Sequence, residues 1–480
     1  MEAAETLSVT TELSALRAAF AGRLLTEPED MAAFLADWRG KWTGRAIAVA
    51  QPDTTADVAA VLRWCHARSV PVVAQGGNTG LSGGATPDDS GRALVLSLTR
   101  LNRLREVDPV NGTITVEAGV TLQQVQQAAA EAGRLFPLSL AAEGSCTIGG
   151  NLATNAGGVQ VLRYGNAREL CLGLEVVTPE GEIWSGLRGL RKDNTGYDLR
   201  DLYIGSEGTL GVITAAVLKL FPPPASQANA FVAVPTVEAA VALLQLAQRY
   251  LGSGLTAFEL MSDACIALVE RHVPGTRLPL AERSPWYVLL EISDTHDEAH
   301  ASEALEGLLA AAFDDDLASD AALSTSLAQF EALWALRENI SESQGAEGKT
   351  IKHDIALPIS RIADFISATS AALAQAAPDV RLVVFGHLGD GNLHYNVSPA
   401  PDRTGPGDAS AFLAHEAPLN RLVHDAVAAQ GGSISAEHGL GVLRRDESAR
   451  YKSPIELRLM RAIKDALDPH HLMNPSKVLP

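Results

Sequence analysis

Apolar positions change period several times along the chain. Residues 1 to about 45 read as short helices, with Leu13, Leu16, Ala19 and Phe20 on one face. From Ala46 strands and helices alternate. Ala46 to Ala50 is an apolar run closed by Pro52, and Thr54 with Asp57 opens a helix that turns Val58, Val61, Leu62 and Cys65 inward. Val70 to Ala74, Leu94 to Leu98 and Gly112 to Ala118 read as strands. Thr121 and Gln124 form a capping box, and that helix runs to Gly133. Leu174 to Thr178 turns through Pro179, Glu180 and Gly181 into a partner strand, Glu182 to Ser185. Val212 to Leu220 is another strand, after which Pro222, Pro223 and Pro224 predict a domain boundary.

Farther on, Phe231 to Leu251 is the richest apolar stretch, but it holds Pro235, Glu238, Gln245, Gln248 and Arg249. It therefore reads as an amphipathic surface helix, and no membrane span is expected. Asp314, Asp315, Asp316 and Asp320 suggest a solvated loop, and so does the Pro/Asp/Gly-rich run from Ala400 to Asp408. The N-terminus carries two early glutamates and no basic region, so a signal peptide is not expected. No internal repeat is visible.

Composition then narrows the class. The chain has 480 residues, enough for two or three domains. Its 38 Lys and Arg against 57 Asp and Glu leave a net charge of −19, which argues against nucleic-acid binding. Cys65, Cys146, Cys171 and Cys265 lie far apart with no C-x-x-C. That excludes a zinc ribbon, a disulfide scaffold and a ferredoxin-type cluster, and suits a reducing, cytoplasmic setting.

Much of the excess of 41 glycines falls in three loops: QGGNTGLSGGA (75–85), GSCTIGGNLATNAGG (144–158) and GSEGTLG (205–211). One such loop would more often be a plain turn. Three together, nearly all polar and uncharged, favour a bound nucleotide cofactor, because glycine lets backbone N–H groups close on a pyrophosphate. Neither G-x-G-x-x-G after a strand nor a P-loop occurs, so the usual nicotinamide and nucleoside-triphosphate readings lose their support.

These three motifs, with KDNTGYDLRDLYIGSEGTLGVIT (192–214), resemble the FAD-binding domain of the vanillyl-alcohol oxidase type. The resemblance implies FAD contacts from Gly76, Gly77, Asn78, Thr79, Gly80, Ser82, Ser145, Gly149, Gly150, Asn151, Thr154, Gly158, Glu207 and Ile213. Some members attach the flavin through a His in the first loop. Residues 75–85 hold no His or Cys, so non-covalent FAD is expected.

A second constellation lies in VVFGHLGDGNLHYNV (383–397). A two-residue turn at Asp390–Gly391 would set His387 opposite His394, with Asn396 on the same face. That is half of a metal site or simply a polar sheet edge. AEHGLG (436–441) offers Glu437 as a third ligand and His438 as a base that stays off the metal. Likewise, Arg337 and Ser341 lie four apart in WALRENISES, read as helix, and Lys352 follows in a predicted strand. They are either ordinary surface residues or a carboxylate grip.

GHLGDGNLHYNV and SISAEHGLG resemble the signatures of the FAD-linked D-2-hydroxyacid dehydrogenases. The terminal NPSKVLP is similar to that family's NPGKVLP, with Ser476 in place of Gly, and implies a flavin-side contact from Asn474. In the D-2-hydroxyglutarate branch the resemblance implies a divalent metal, zinc, on His387, His394 and Glu437, and His438 as the base. It also implies Arg337, Ser341, Lys352 and Asn396 as substrate contacts, with Ser341 standing where that branch commonly has Thr.

The expected fold is α+β: a vanillyl-alcohol oxidase/PCMH-type FAD-binding domain plus an α+β substrate (cap) domain with an antiparallel sheet and a helical C-terminal segment. Expected bounds are 1–45 for an N-terminal helical segment, 46–224 for the FAD domain, 225–430 for the substrate domain and 431–480 for a segment closing on the flavin. The expected reaction is oxidation of a D-2-hydroxy acid, favoured as D-2-hydroxyglutarate, to the 2-oxo acid. D-lactate and glycolate dehydrogenases, and a non-catalytic FAD-binding electron-transfer subunit, are the alternatives. Electrons would leave to an electron-transfer flavoprotein or a quinone, and a homodimer stays open.

Overall fold

The computed structural model describes residues 12–400 and 411–480. The expected loop after Ala400 and most of the N-terminal stretch weighed for a signal peptide lie outside them. Two units divide the chain. The first gathers the described residues up to Gly157, Asn166–Pro223 and Glu437–Pro480; the second gathers Gly158–Gly165 and the described residues of Pro224–Ala436.

The first unit carries two sheets. One orders its strands β1-β2-β4-β3, from β1 (Gly22–Leu25), β2 (Ala46–Pro52), β3 (Val72–Gln75) and β4 (Ala93–Ser97). β2, β4 and β3 run parallel, which requires a crossover, and the helix Thr55–Arg68 supplies it between β2 and β3. Thr54 caps that helix by accepting the Asp57 N–H, and Val58, Val61, Leu62 and Cys65 are buried. The expectation of helices alone before Ala46 is corrected: Leu24 and Leu25 pair antiparallel with β2 and bury against its apolar face.

The other sheet is antiparallel, ordered β5-β6-β9-β7-β8, from β5 (Leu104–Asp108), β6 (Thr113–Glu117), β7 (Cys171–Val177), β8 (Ile183–Gly186) and β9 (Val212–Lys219). Its buried Glu175 accepts from Arg105, Thr55 and Thr214. That carboxylate ties the sheet to the crossover helix and compensates its own desolvation with three donors.

The second unit is built on a seven-stranded antiparallel sheet, ordered β13-β10-β12-β11-β15-β16-β14. Its strands are β10 (Ser226–Val234), β11 (Leu255–Ser262), β12 (Trp286–Asp294), β13 (Asp320–Leu323), β14 (Asp354–Ala356), β15 (Val380–His387) and β16 (Asn392–Pro399). Phe231 to Val234 is strand rather than helix, because β10 pairs on both edges, with β12 and β13, and is buried on both faces. The helix begins only at Val237, capped by Thr236. Asp320 likewise starts an edge strand instead of a loop.

Among the described residues no helix is long and apolar enough to cross a membrane. All four cysteines are free and buried. Burial pushes their thiols up, to about 11 at Cys265 and about 12 at Cys171.

Candidate active site: a glycine cradle and a charged sheet face

In the first unit the three glycine loops line one open cavity of about 940 Å³, mouth included. All the expected FAD contacts line it except Ser145, Gly158 and Asn474. Among the described residues the backbone N–H groups from Gly76 to Gly80 meet no acceptor, and the buried Thr147 hydroxyl on the cavity wall has no partner. These partly exposed N–H groups are free to receive a ligand's acceptors, and a pyrophosphate would supply them. Close approach explains the glycines. A Cβ at Gly77 would lie 1.9 Å from the Ser145 carbonyl oxygen, and one at Gly76 would lie 2.4 Å from Thr147 Oγ1. The second loop is not loop throughout: Ile148–Ala153 forms a short helix, since Ile148 and Leu152 bury together.

The C-terminal stretch closes on this cradle through side chains that appeared in the sequence as cofactor contacts. Glu207, at φ 52°, accepts N–H groups from Leu440 and Gly441 at 2.7 and 2.8 Å. Burial raises its carboxyl, and those two donors with Lys477 pull it back. Ser82 Oγ donates to the carbonyls of His438 and Gly439. Asn474 donates to the carbonyls of Gly84 and Glu207, so its amide stitches two loops together behind the cavity wall. Lys464 donates to the carbonyls of Thr209 and Met473, and Lys477 to that of Thr86. Together they set His438 on the cavity wall. Glu437 lies against Gly157, where a Cβ would meet Glu437 Oε1 at 2.7 Å.

In the second unit one sheet face carries buried charge. The two-residue turn is corrected: residues 388–391 turn, and His394 pairs with Phe385 rather than with His387. Gly386 decides this, because its missing Cβ lets Asn392 O approach to 2.5 Å of where that atom would be. A register shift of two residues preserves the face, so His387 and His394 remain neighbours, with ring centroids 5.6 Å apart.

β11 adds what sequence reading missed. Glu259, fully buried, pairs across the sheet with His387. His387 Nδ1 lies 2.7 Å from Glu259 Oε1. A carboxylate only accepts, so Nδ1 holds the proton and Nε2 is the nitrogen able to take a metal. Burial alone would raise the Glu259 carboxyl, but His387 and Arg337 hold it well below the ordinary range. His394 Nδ1 stands 3.9 Å from Asp354 Oδ1. A carboxylate hydrogen-bonded behind an imidazole is how metal-binding histidines are commonly oriented; His387 has one, His394 has a carboxylate only at ion-pair distance, and two imidazoles on one face make a donor set that fits a divalent ion.

Arg337 Nε donates to Glu259 Oε2 at 2.6 Å, and its guanidinium stacks on Phe385, Cζ 4.8 Å from the ring centre. Its two terminal nitrogens have no partner among the described residues. The single helix expected through Arg337 and Ser341 is corrected to two, Leu327–Glu338 and Ile340–Ala346, meeting at Asn339. Arg337 is buried and Ser341 exposed. Lys352 is half-buried, just before β14. Asn396 Nδ2 donates to Gln344 Oε1, and its Oδ1 accepts from the His353 N–H, so the protein fixes its orientation.

The glycine cradle and its two-sheet support define a FAD-binding unit, and comparison with known proteins agrees. Residues 46–186 match the family described as "FAD binding domain", and residues 223–478 match "FAD linked oxidases, C-terminal domain". p-Cresol methylhydroxylase, solved with substrate bound, shares the fold at TM-score 0.76 and 16% identity, over 99% of this chain and 97% of that one. The mitochondrial D-2-hydroxyglutarate dehydrogenase of Bos taurus is 41% identical, over 98% of this chain and 83% of its own. D-2-hydroxyglutarate dehydrogenase of Xanthomonas citri pv. viticola is 42% identical, over 97% of this chain and 96% of its own. The chain belongs to the FAD-linked D-2-hydroxyacid dehydrogenase family.

Proposed function

We propose that the protein oxidises D-2-hydroxyglutarate to its 2-oxo acid, using non-covalent FAD and a divalent metal, zinc, on His387, His394 and Glu437. The observation that carries the reading is the carboxylate-backed His387 beside His394 on one sheet face, with the Arg337 fork held by the same carboxylate. The relatives' names supply the substrate. Bound FAD would accept the hydride leaving C2. The metal would act as a Lewis acid on the hydroxyl oxygen.

The remaining work falls to the chain's own groups. His438 accepts the hydroxyl proton. Arg337, anchored through Nε, offers its two terminal nitrogens to a substrate carboxylate, a bidentate match in shape and charge. Asn396 is held fixed by Gln344 and His353 and orients the acid. Lys352 and Ser341 serve the second carboxylate. With no cysteine relay, electrons leave to an external acceptor, an electron-transfer flavoprotein or a quinone. The four reduced thiols suit a cytoplasmic setting.

Anaerobic flavin reduction across a panel of D-2-hydroxy acids tests the reading. The dicarboxylate should bleach the flavin at far lower concentration than D-lactate or glycolate. Preference for a monocarboxylate would reassign the substrate, and no bleaching by any of them would leave only an electron-transfer role. His438→Ala should keep the flavin spectrum and lose about 10²–10⁴-fold in turnover.

A further inference from the structure

Glu259, buried in the second unit, serves two partners of different function. One oxygen meets Nδ1 of His387 at 2.7 Å, and the other takes Nε of Arg337 at 2.6 Å. It has no exposed surface, and both partners are nearly as deeply buried. We propose that Glu259 is a shared positioning residue, a single carboxylate that sets both the metal-binding tautomer of His387 and the direction of the Arg337 fork. The inference rests on the metal reading given above.

The chemistry follows from the two contacts. An ionised Glu259 can only accept, so it keeps the His387 proton on Nδ1 and makes Nε2 the more basic donor. The same charge holds Arg337 by Nε, the one nitrogen whose capture leaves the terminal pair parallel and open to a carboxylate. Phe385 fixes the guanidinium plane from below, so rotation about the Nε contact is also restricted. Metal affinity and substrate affinity should therefore fall together when this one side chain changes, although it would touch neither ligand.

The test uses the full-length, FAD-loaded protein. Half-buried Asp294 and exposed His296 and His300 have donor atoms that converge within 4.8 Å and could also take zinc. Titrations are therefore run in a His296→Ala/His300→Ala background. Glu259→Gln keeps the shape and one acceptor oxygen but removes the charge. It should weaken zinc binding, measured by chelator competition, by about 10–100-fold. It should also raise KM for D-2-hydroxyglutarate by about tenfold or more at saturating zinc, the size of one lost charged contact. Arg337→Lys should raise KM alone and leave zinc affinity near parental.

If Glu259→Gln does not fold, Glu259→Asp carries the test: it retains the charge but falls one methylene short of spanning both partners. A variant with zinc affinity and KM within twofold of the parent, whatever its melting temperature, would reduce Glu259 to a scaffold residue. Zinc affinity unchanged in His387→Ala is a separate result, which overturns the metal reading and this inference with it.

Discussion

The two units make binding surfaces from different materials. The FAD unit uses backbone: glycines whose absent side chains admit close approach, and N–H groups from Gly76 to Gly80 that meet no acceptor among the described residues. The second unit uses side-chain charge gathered on a sheet face: buried Glu259, His387 and Asp354 with half-buried His394 from the strands, and buried Arg337 from the helix Leu327–Glu338. Backbone is tied to local sequence, so a cradle can be spelled in a motif. A charged face is assembled across strands distant in sequence, and a partner such as Glu259 carries no local mark. The cradle should therefore fail through steric intrusion, and the charged face through lost partners or altered protonation.

The largest expected effect separates the two at once. His394→Ala removes a proposed ligand from the sheet face and should cut turnover by about 10²-fold or more, several kcal/mol of lost charge stabilisation. The flavin spectrum should stay unchanged, because the cradle is made elsewhere. Flavin loss in this variant would break the division of labour. Conversely, Gly77→Ala forces a Cβ to within 1.9 Å of the Ser145 carbonyl oxygen. It should release FAD during gel filtration, at a cost of about 1–3 kcal/mol, while the zinc affinity of the protein holds.

A smaller effect probes charge burial in the second unit. Glu291 is pushed up to about 7, first by desolvation, against donors from Trp334 and Gln227. Its folded value exceeds its unfolded one, so the folded state holds the extra proton between about pH 4.5 and 7 and stability falls as pH rises through that window. Glu291→Gln should unfold much like the parent near pH 4 and be more stable by about 2 kcal/mol at pH 8. Denaturant melts at the two pH values check it, and a constant difference would mean that folding leaves the Glu291 carboxyl where it lies in the unfolded chain.

The smallest concerns the C-terminus of the FAD unit. Ser476 adopts φ 63°, a left-handed conformation that a side chain strains. Ser476→Gly should raise stability by about 1 kcal/mol or less in thermal melts, without altering flavin spectrum or turnover. A destabilised variant would mean that the serine side chain contributes more than its strain removes.

Particular residues show how far the sequence could be read. The capping pairs Thr54/Asp57 and Thr121/Gln124 marked their helices because caps act within one turn. The glycine loops marked the cradle for the same local reason. Phe231 to Val234 misled, because an apolar run buried on both faces has no period to distinguish strand from helix. The hairpin register was misplaced by two residues, since Asp390–Gly391 signalled a tight turn but Gly386 and the pairing to β11 set the alignment. Asn474 and Glu207 were legible as polar residues in motifs. Their hydrogen-bond partners in the 75–85 loop and the AEHGLG run were not, because those contacts span more than 200 residues.

By itself the sequence determined the local devices: the caps, the three glycine loops, the proline break and the residues bearing imidazole, carboxylate and guanidinium groups. Those follow from backbone geometry and side-chain chemistry within a few residues. Only the tertiary structure decided that Glu259 backs both His387 and Arg337, and that Glu207 seats the loop bearing His438. Both decisions depend on pairing and burial between distant segments, and a buried charge becomes tolerable only once its partner has been brought to it.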